Sequence, residues 1–172
     1  GLQELRNQVD SEGRKIVPIE ELVSIVGELR KRSKKIVWSN GCFDVLHIGH
    51  VEYLKKSKEL GDVLIVGVTS DDAVRKEKGP GRPVYSESER TRILAQMSFI
   101  DHITIYPFQG AKDFVARLKP DVYVKGGTYT IETINQEERR IVEGYGGEIV
   151  LGIEIPDQST TRTIKKIQES KS

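Results

Sequence analysis

The stretch Asn40-Gly41-Cys42-Phe43-Asp44-Val45-Leu46-His47-Ile48-Gly49-His50 decides the fold, because it joins a predicted strand to a predicted helix. The apolar run Ile36-Val37-Trp38 before it predicts the strand, and residues 51–60 after it predict the helix. Backbone N–H groups at a helix N-terminus lack partners within the helix, and the helix dipole favours negative charge there. A strand, a glycine-containing turn and a helix start together predict an anion site.

His47 and His50 are two of the three histidines of the chain, and their spacing places both on one side of the helix start. We interpret them as hydrogen-bond donors that stabilise charge on a transferring phosphoryl group. The alternative is a structural or metal-binding pair, although no other Cys or His has the spacing of a third ligand. His102 stands alone at a predicted strand start, and we interpret it as structural.

Two further residues of this stretch have polar or reactive side chains. Asp44 could orient a histidine or a ligand group, or it could simply close an Asx turn. Cys42 is interpreted as a small packed residue, because no base is placed to activate its thiol. As the single cysteine of the chain, it excludes an internal disulfide and is typical of a protein from a reducing cytosol.

The composition indicates one globular domain. The chain has 172 residues, of which 37% are apolar and 31% charged. We predict a lead-in over residues 1–17 and a single domain over residues 18–172. A net charge of +1 argues against a nucleic-acid partner. The longest apolar stretch, 63–68, is too short to span a membrane, and no signal peptide is visible, so we expect a cytoplasmic location.

Strand and helix patterns alternate along the chain, which predicts an α/β protein with a parallel sheet. Ligands of such sheets bind at the carboxyl ends of the strands. Ser86 with Glu89 three residues later is typical of a capped helix start. The predicted strands are Lys35–Ser39, Asp62–Thr69, His102–Tyr106, Asp121–Val124 and Glu148–Leu151. The predicted helices are 18–29, Ile48–Leu60, Asp71–Lys76, Ser86–Phe99, Ala111–Leu118, Gln136–Glu143 and Thr160–Glu169.

Three other segments are candidate phosphate or ligand contacts, and each has a simpler interpretation. The run 157–162 is either an ordinary helix cap or a second phosphate cradle with Arg162. The loop 76–84 carries Lys78 and Arg82 between glycines and prolines, and either closes on phosphates or forms a surface turn. Lys125-Gly126-Gly127 either lets a ligand approach the backbone, with Lys125 neutralising phosphate, or forms a plain turn. The two common phosphate-binding fingerprints are absent from the sequence.

Taken together, these segments resemble the HxGH nucleotidyltransferases of the cytidylyltransferase type. Within that family the chain is most similar to the D-glycero-β-D-manno-heptose 1-phosphate adenylyltransferases, which make ADP-heptose. The resemblance covers residues 17–168 and implies a Rossmann-like, five-stranded parallel sheet flanked by helices, of the HUP type. The strings that carry it are Asn40–His50, Leu60–Val68, Lys78–Val84, Lys125–Gly127, Ser159–Thr161 and Ile164–Ile167.

The resemblance implies that a sugar 1-phosphate attacks the α-phosphorus of ATP and that pyrophosphate leaves. His47, His50 and Lys78 are then catalytic, and Asp71, Arg82 and Arg162 bind the substrate. Mg²⁺ is expected to bridge the phosphates rather than occupy a protein cage. No nucleic-acid or membrane partner is expected, whereas a homodimer is expected. The residues expected to bind the nucleotide are Asn40, Gly41, Cys42, Phe43, Asp44, Gly49, Lys125, Gly126, Gly127, Ser159, Thr160 and Thr161.

Two rival functions stay open at this stage. One is CTP-dependent transfer to glycerol 3-phosphate or another alcohol phosphate, and the other is a nucleotide-binding module without turnover. The chain also departs from its relatives at Thr128, where they usually carry Asp, and at 156–158, before the family's closing motif, Ser159–Thr161. Bifunctional relatives add a sugar kinase domain, so the chain corresponds to a stand-alone transferase or to the transferase part.

Overall fold

A parallel sheet is the frame on which the chain is arranged. The computed structural model describes residues 15–107, 110–153 and 160–169. The strands are all parallel and lie in the order β3-β2-β1-β4-β5. This confirms the predicted five-stranded α/β sheet. The strands are β1 (Ile36–Gly41), β2 (Val63–Thr69), β3 (His102–Tyr106), β4 (Val122–Gly126) and β5 (Glu148–Ile153).

Helices precede, connect and follow the strands, as the alternating pattern predicts. No helix among the described residues is both long and apolar enough to cross a membrane. The helices are α1 (Ile19–Lys31), α2 (Ile48–Lys58), α3 (Asp71–Lys78), α4 (Glu87–Ala95), α5 (Ala111–Leu118), α6 (Gln136–Gly144) and α7 (Thr160–Glu169).

The strand order creates a crevice beside β1. The chain runs outward from β1 through β2 to β3, and then returns to the other side of β1 for β4 and β5. Pairing of β1 with β2 continues to Gly41 and Val68, whereas pairing of β1 with β4 stops at Ser39 and Val124. The carboxyl ends of β1 and β4 are therefore unpaired with each other. Such a switch point is where open α/β sheets bind ligands.

Alternate side chains of the strands enter two separate cores. Trp38 packs with residues of α1, α5 and α6 on one face of the sheet. Its neighbour Val37 packs on the other face with Tyr53 and Leu54 of α2 and with residues of α4. Because both faces are covered, the strands are apolar throughout rather than alternating with polar residues.

Several predicted element ends differ from the structure, and the largest difference is at a helix. The helix predicted over Ser86–Phe99 ends at Ala95, because the N–H groups of Gln96 and Met97 bond to carbonyls three residues back and tighten the last turn. Strand β1 continues past the predicted end at Ser39, because Asn40 and Gly41 still pair with β2. The remaining ends differ by less than one helical turn.

Residues at the end of the predicted lead-in already contact the sheet. Ile16 forms a parallel bridge with Ile103, and the Val17 N–H donates to the Ile103 carbonyl at 2.9 Å. Val17 is also buried in the core beneath α1. The segment before α1 therefore adds to the packing of β3.

Gly67 lies beneath the site and allows the Trp38 indole to cross β2. A Cβ atom at Gly67 would lie 2.6 Å from that ring and 3.2 Å from the Cβ of Asn40. We expect Gly67→Ala to lower the free energy of unfolding by about 1–3 kcal/mol through overpacking. Gly144→Ala is the control, because a Cβ there meets no atom within 4 Å and alanine favours a helix. Urea unfolding of both variants tests this, and equal stabilities would contradict it.

Candidate active site

A cavity of about 440 Å³ opens where the carboxyl ends of β1 and β4 diverge. Its walls come from the β1–α2 loop, the start of α2, the end of α3 with the loop after it, and the end of β4. Residues far apart in the sequence thus meet at one edge of the sheet. The lining residues are Asn40, Gly41, Cys42, Phe43, Asp44, His47, Gly49, His50, Tyr53, Lys78, Arg82, Lys125, Gly126, Gly127, Tyr129 and Ile153.

The β1–α2 loop has an unusual backbone. Phe43 has φ 51° and Val45 has φ 45°, a left-handed conformation that residues other than glycine rarely adopt. Phe43 is buried, and its ring lies 5.8 Å from the His50 ring in an edge contact. Such backbone conformations persist only where the surrounding structure enforces them, and they cluster at functional sites. The loop is thereby held close to the start of α2.

The two imidazoles of this loop and helix are in contact. Their ring centroids are 4.0 Å apart, and the planes are inclined by 35°. The backbone N–H of His47 donates to Nδ1 of His50 at 3.3 Å. A neutral His50 therefore carries its proton on Nε2. Nδ1 of His47 is buried and has no hydrogen-bond partner among the described residues.

Both histidines are neutral near pH 7. Burial, the largest cause, and the nearby charges of His47 and Lys78 together lower the pKa of His50 to about 4. Burial also lowers the pKa of His47. Neutral imidazoles act as N–H donors rather than as cations, which agrees with the interpretation of this pair as donors to phosphate oxygens. Their catalytic role remains a prediction.

The carboxylate of Asp44 anchors the loop that follows α3. It is fully buried and accepts hydrogen bonds from Arg82 Nε at 2.7 Å, from the Val84 N–H at 2.9 Å and from the Tyr85 N–H at 3.0 Å. Burial acts to raise its pKa, but the backbone N–H groups and the Arg82 guanidinium outweigh that effect, so the pKa lies below its ordinary value. Asp44 thus does more than close an Asx turn, because its partners lie about forty residues further along the chain.

Arg90 of α4 also supports the site, and the sequence pattern gave no sign of it. Its side chain is fully buried. It donates to the Cys42 carbonyl at 2.5 Å, the Tyr85 carbonyl at 3.1 Å and the Asp71 carboxylate at 2.8 Å. In the sequence Arg90 stands in a charged run that is typical of a solvated helix face.

The end of β4 forms the opposite wall of the cavity. Nζ of Lys125 donates to the Asn40 carbonyl at 3.0 Å, across the crevice between β4 and β1. The Tyr53 ring packs under Gly126, where a Cβ would lie 2.7 Å from it. The Tyr53 hydroxyl donates to the Val124 carbonyl at 3.1 Å. Tyr53 thereby fixes the backbone of this wall, and only glycine allows that close approach.

Some predicted site residues lie elsewhere. Asp71 is outside the cavity lining, and its carboxylate accepts from Arg90 and from the Glu87 N–H. Thr128 is exposed and also lies outside the lining. Ser159 lies outside the described residues. Helix α7 begins at Thr160, so the predicted residues Thr160, Thr161 and Arg162 form its first turn.

The fold and the site together define an α/β protein of the nucleotidyltransferase type, with an HxGH sequence at a helix N-terminus beside the switch point. The chain belongs to the cytidylyltransferase-like family, whose model matches residues 38–166. Membership of this family confirms both the predicted family and the predicted enzyme class, a nucleotidyltransferase.

The chain is also similar to bifunctional HldE proteins. It is 43% identical to the bifunctional protein HldE of Syntrophotalea carbinolica over 86% of this chain and 30% of that protein. It is 44% identical to the bifunctional protein HldE of Geobacter metallireducens over 89% of this chain and 31% of that protein. The chain thus spans about a third of the length of these curated relatives.

Two crystal structures share the fold. The lipopolysaccharide core biosynthesis protein of Thermoplasma volcanium superposes with a TM-score of 0.60 and 29% identity, over 72% of this chain and 99% of that one. The pantoate-beta-alanine ligase of Francisella tularensis superposes with a TM-score of 0.59 and 18% identity, over 90% of this chain and 77% of that one. At 18% identity the second likeness shows the fold alone.

The low pKa of His50 predicts a pH-dependent stability. The unfolded chain binds a proton near the ordinary pKa of 6.5, whereas the folded protein does so only near pH 4. The free energy of unfolding should therefore fall as the pH decreases from 6.5 towards 4. His50→Gln should weaken this dependence. NMR titration of the His50 ring measures the pKa directly, and a value near 6.5 would contradict the structure.

The burial of Asp44 predicts a large cost for its neutralisation. Asp44→Asn should lower the free energy of unfolding by about 3 kcal/mol, because it leaves Arg82 and two backbone N–H groups without their carboxylate. Asp72→Asn is the matched control. Its pair with Arg75 is exposed, with 82% and 51% of the side chains accessible, so the change should be below about 1 kcal/mol. Similar unfolding midpoints for the two variants would show that Asp44 is no anchor.

Proposed function

We propose that the protein transfers the adenylyl group of ATP to D-glycero-β-D-manno-heptose 1-phosphate, giving ADP-heptose and pyrophosphate. The observation that carries this proposal is the pair of neutral imidazoles at the N-terminus of α2, inside the switch-point cavity. Helix N-termini and N–H donors stabilise phosphate charge.

The reaction needs positioning and charge stabilisation more than covalent help. An oxygen of the sugar 1-phosphate forms a bond to the α-phosphorus of ATP. The bond between that phosphorus and the bridging oxygen breaks, and its electrons leave with pyrophosphate. His47 and His50 donate to oxygens on which negative charge increases. Lys78 adds a positive charge from the end of α3, where it also lines the cavity.

Arg82 and the segment 159–162 hold further phosphate oxygens in this proposal. Arg82 lines the cavity while its Nε stays on Asp44, so the rest of its guanidinium is kept near the phosphates. The leaving pyrophosphate is held by Ser159, Thr160, Thr161 and Arg162. The start of α7 at Thr160 supports this assignment, because its first N–H groups have no partners within the helix.

Mg²⁺ accompanies ATP in this proposal. The described residues contain no group of three His, Cys, Asp or Glu side chains that could hold a metal ion. Asp44, the buried carboxylate of the cavity, is committed to Arg82 and two backbone N–H groups. The phosphate oxygens are therefore the expected ligands, and the ion supplies neutralisation of the triphosphate charge.

The substrate assignment is supported by similarity. The HldE proteins resemble the chain across nearly its whole length, and a related structure is a lipopolysaccharide core biosynthesis protein. The segments 78–84 and 125–127, which line or border the cavity, also favour the heptose 1-phosphate over an alcohol phosphate as the acceptor. We place the reaction in the cytoplasm, where the single cysteine stays reduced, and propose a homodimer as the working state.

A panel of nucleotides and acceptors tests the proposal. Pyrophosphate release is measured with ATP or CTP against the heptose 1-phosphate, other sugar phosphates and glycerol 3-phosphate. Turnover with ATP and the heptose 1-phosphate is expected. Turnover with CTP alone would refute the adenylyl assignment, and nucleotide binding without turnover on any pair would indicate a binding module.

Removal of either imidazole should abolish most of the activity. His47→Ala or His50→Ala should lower kcat by about 10²-fold or more, as for loss of a donor to a developing oxyanion. Ile48→Ala is the matched control, because Ile48 stands between the two histidines and is 59% exposed. Circular dichroism checks that each variant is folded. A histidine variant with the kcat of the Ile48 control would exclude the catalytic role.

A further inference from the structure

The Lys125 ammonium lies in the crevice between β1 and β4. Pairing of these strands ends at Ser39 and Val124, and beyond it the Lys125 Nζ donates to the Asn40 carbonyl at 3.0 Å. The centroids of the Tyr123 and Tyr129 rings lie 6.0 Å and 5.8 Å from Nζ. The ammonium is therefore held at a defined position in the cavity.

Lys125 and the two histidines approach this crevice from opposite faces of the sheet. Lys125 follows Tyr123 by two residues, and Tyr123 packs in the core beneath α1, α5 and α6. Side chains two apart on a strand share a face. The histidines begin α2, whose Tyr53 and Leu54 pack in the core on the other face. The crevice thus has a cation on one side and two N–H donors on the other.

An in-line displacement needs separate groups to hold the attacking phosphate and the phosphates of the nucleotide. The attacking and leaving oxygens lie on opposite sides of the phosphorus. If the start of α2 holds the phosphates of ATP, as in the proposed function, the Lys125 ammonium on the other side of the crevice is placed to hold the phosphate of the acceptor. We propose that Lys125 binds the phosphate of the sugar 1-phosphate and sets its affinity. This inference rests on the proposed function, and it assigns Lys125 to the acceptor rather than to the nucleotide.

The surroundings of Lys125 favour a ligand over a purely structural role. Burial lowers the pKa of Lys125, although the Glu138 and Glu77 carboxylates act to raise it. Glu138 already accepts a hydrogen bond from the Tyr123 hydroxyl at 2.5 Å. Of the three donors of the ammonium, one meets the Asn40 carbonyl. A phosphate dianion would use the remaining donors and offset the cost of burying the charge.

The test compares Michaelis constants for the two substrates. For the wild-type protein and for each variant, the KM for ATP and the KM for the heptose 1-phosphate are measured separately. Lys125→Met should raise the KM for the sugar phosphate by about 30-fold or more while leaving the KM for ATP within about twofold. Lys125→Arg, which keeps the charge, should recover part of the loss. Lys34→Met, at an exposed lysine before β1, is the control and should change neither constant.

Each outcome supports or overturns the inference. Suppose that the wild-type enzyme turns over, and that Lys125→Met raises both KM values equally or only lowers the melting temperature. That result would leave the proposed function standing and refute the acceptor role. If no pair supports turnover, the proposed function fails, and calorimetric titration with inorganic phosphate then decides about Lys125. Weaker phosphate binding by Lys125→Met than by Lys34→Met would support the inference, and equal binding would refute it.

Discussion

The buried carboxylate of Asp44 is the interaction on which the site depends. It accepts hydrogen bonds from the Arg82 guanidinium and from two backbone N–H groups of the loop after α3. Arg90 ties the same two segments together through the carbonyls of Cys42 and Tyr85. Two charged groups without exposed side chains thus join the β1–α2 loop to the loop after α3. Burying them unpaired would be costly, so the arrangement is strongly favoured over alternatives in which the loops separate.

This anchoring positions the loop that leads to the histidines, and burial keeps both of them neutral. Asp44 belongs to the β1–α2 loop, which leads directly into the start of α2, where the His47 N–H fixes the tautomer of His50. The site therefore presents N–H donors that need little rearrangement when charge develops on phosphate oxygens. The strand order contributes the other half of the site. The chain crosses from β3 to the other side of β1, where β4 pairs with it. Lys125 at the end of β4 therefore reaches the same crevice from the opposite face.

Much of the fold and part of the site could be predicted from local patterns. The apolar runs 36–38 and 63–68 predicted buried parallel strands, and the segment 40–50 was predicted to form a site where the structure has a cavity. The capping pair Ser86 and Glu89 was also correct. Arg90 could not be recognised, because within its helix it resembles any solvated charge. Its partners include the Cys42 carbonyl and the Asp71 carboxylate of α3, and no local pattern encodes such distant contacts.

The sequence by itself determined the family, the alternation of strands and helices, and the chemistry available at the start of α2. These follow from short-range rules of periodicity, capping and motif spacing, together with the resemblance of the HxGH segment. Only the tertiary structure decided that Asp44 is an anchor, that Asp71 supports Arg90 outside the cavity, and that Lys125 reaches the Asn40 carbonyl across the crevice. The reason is physical: the environment of a charged side chain depends on which distant segments exclude water from it.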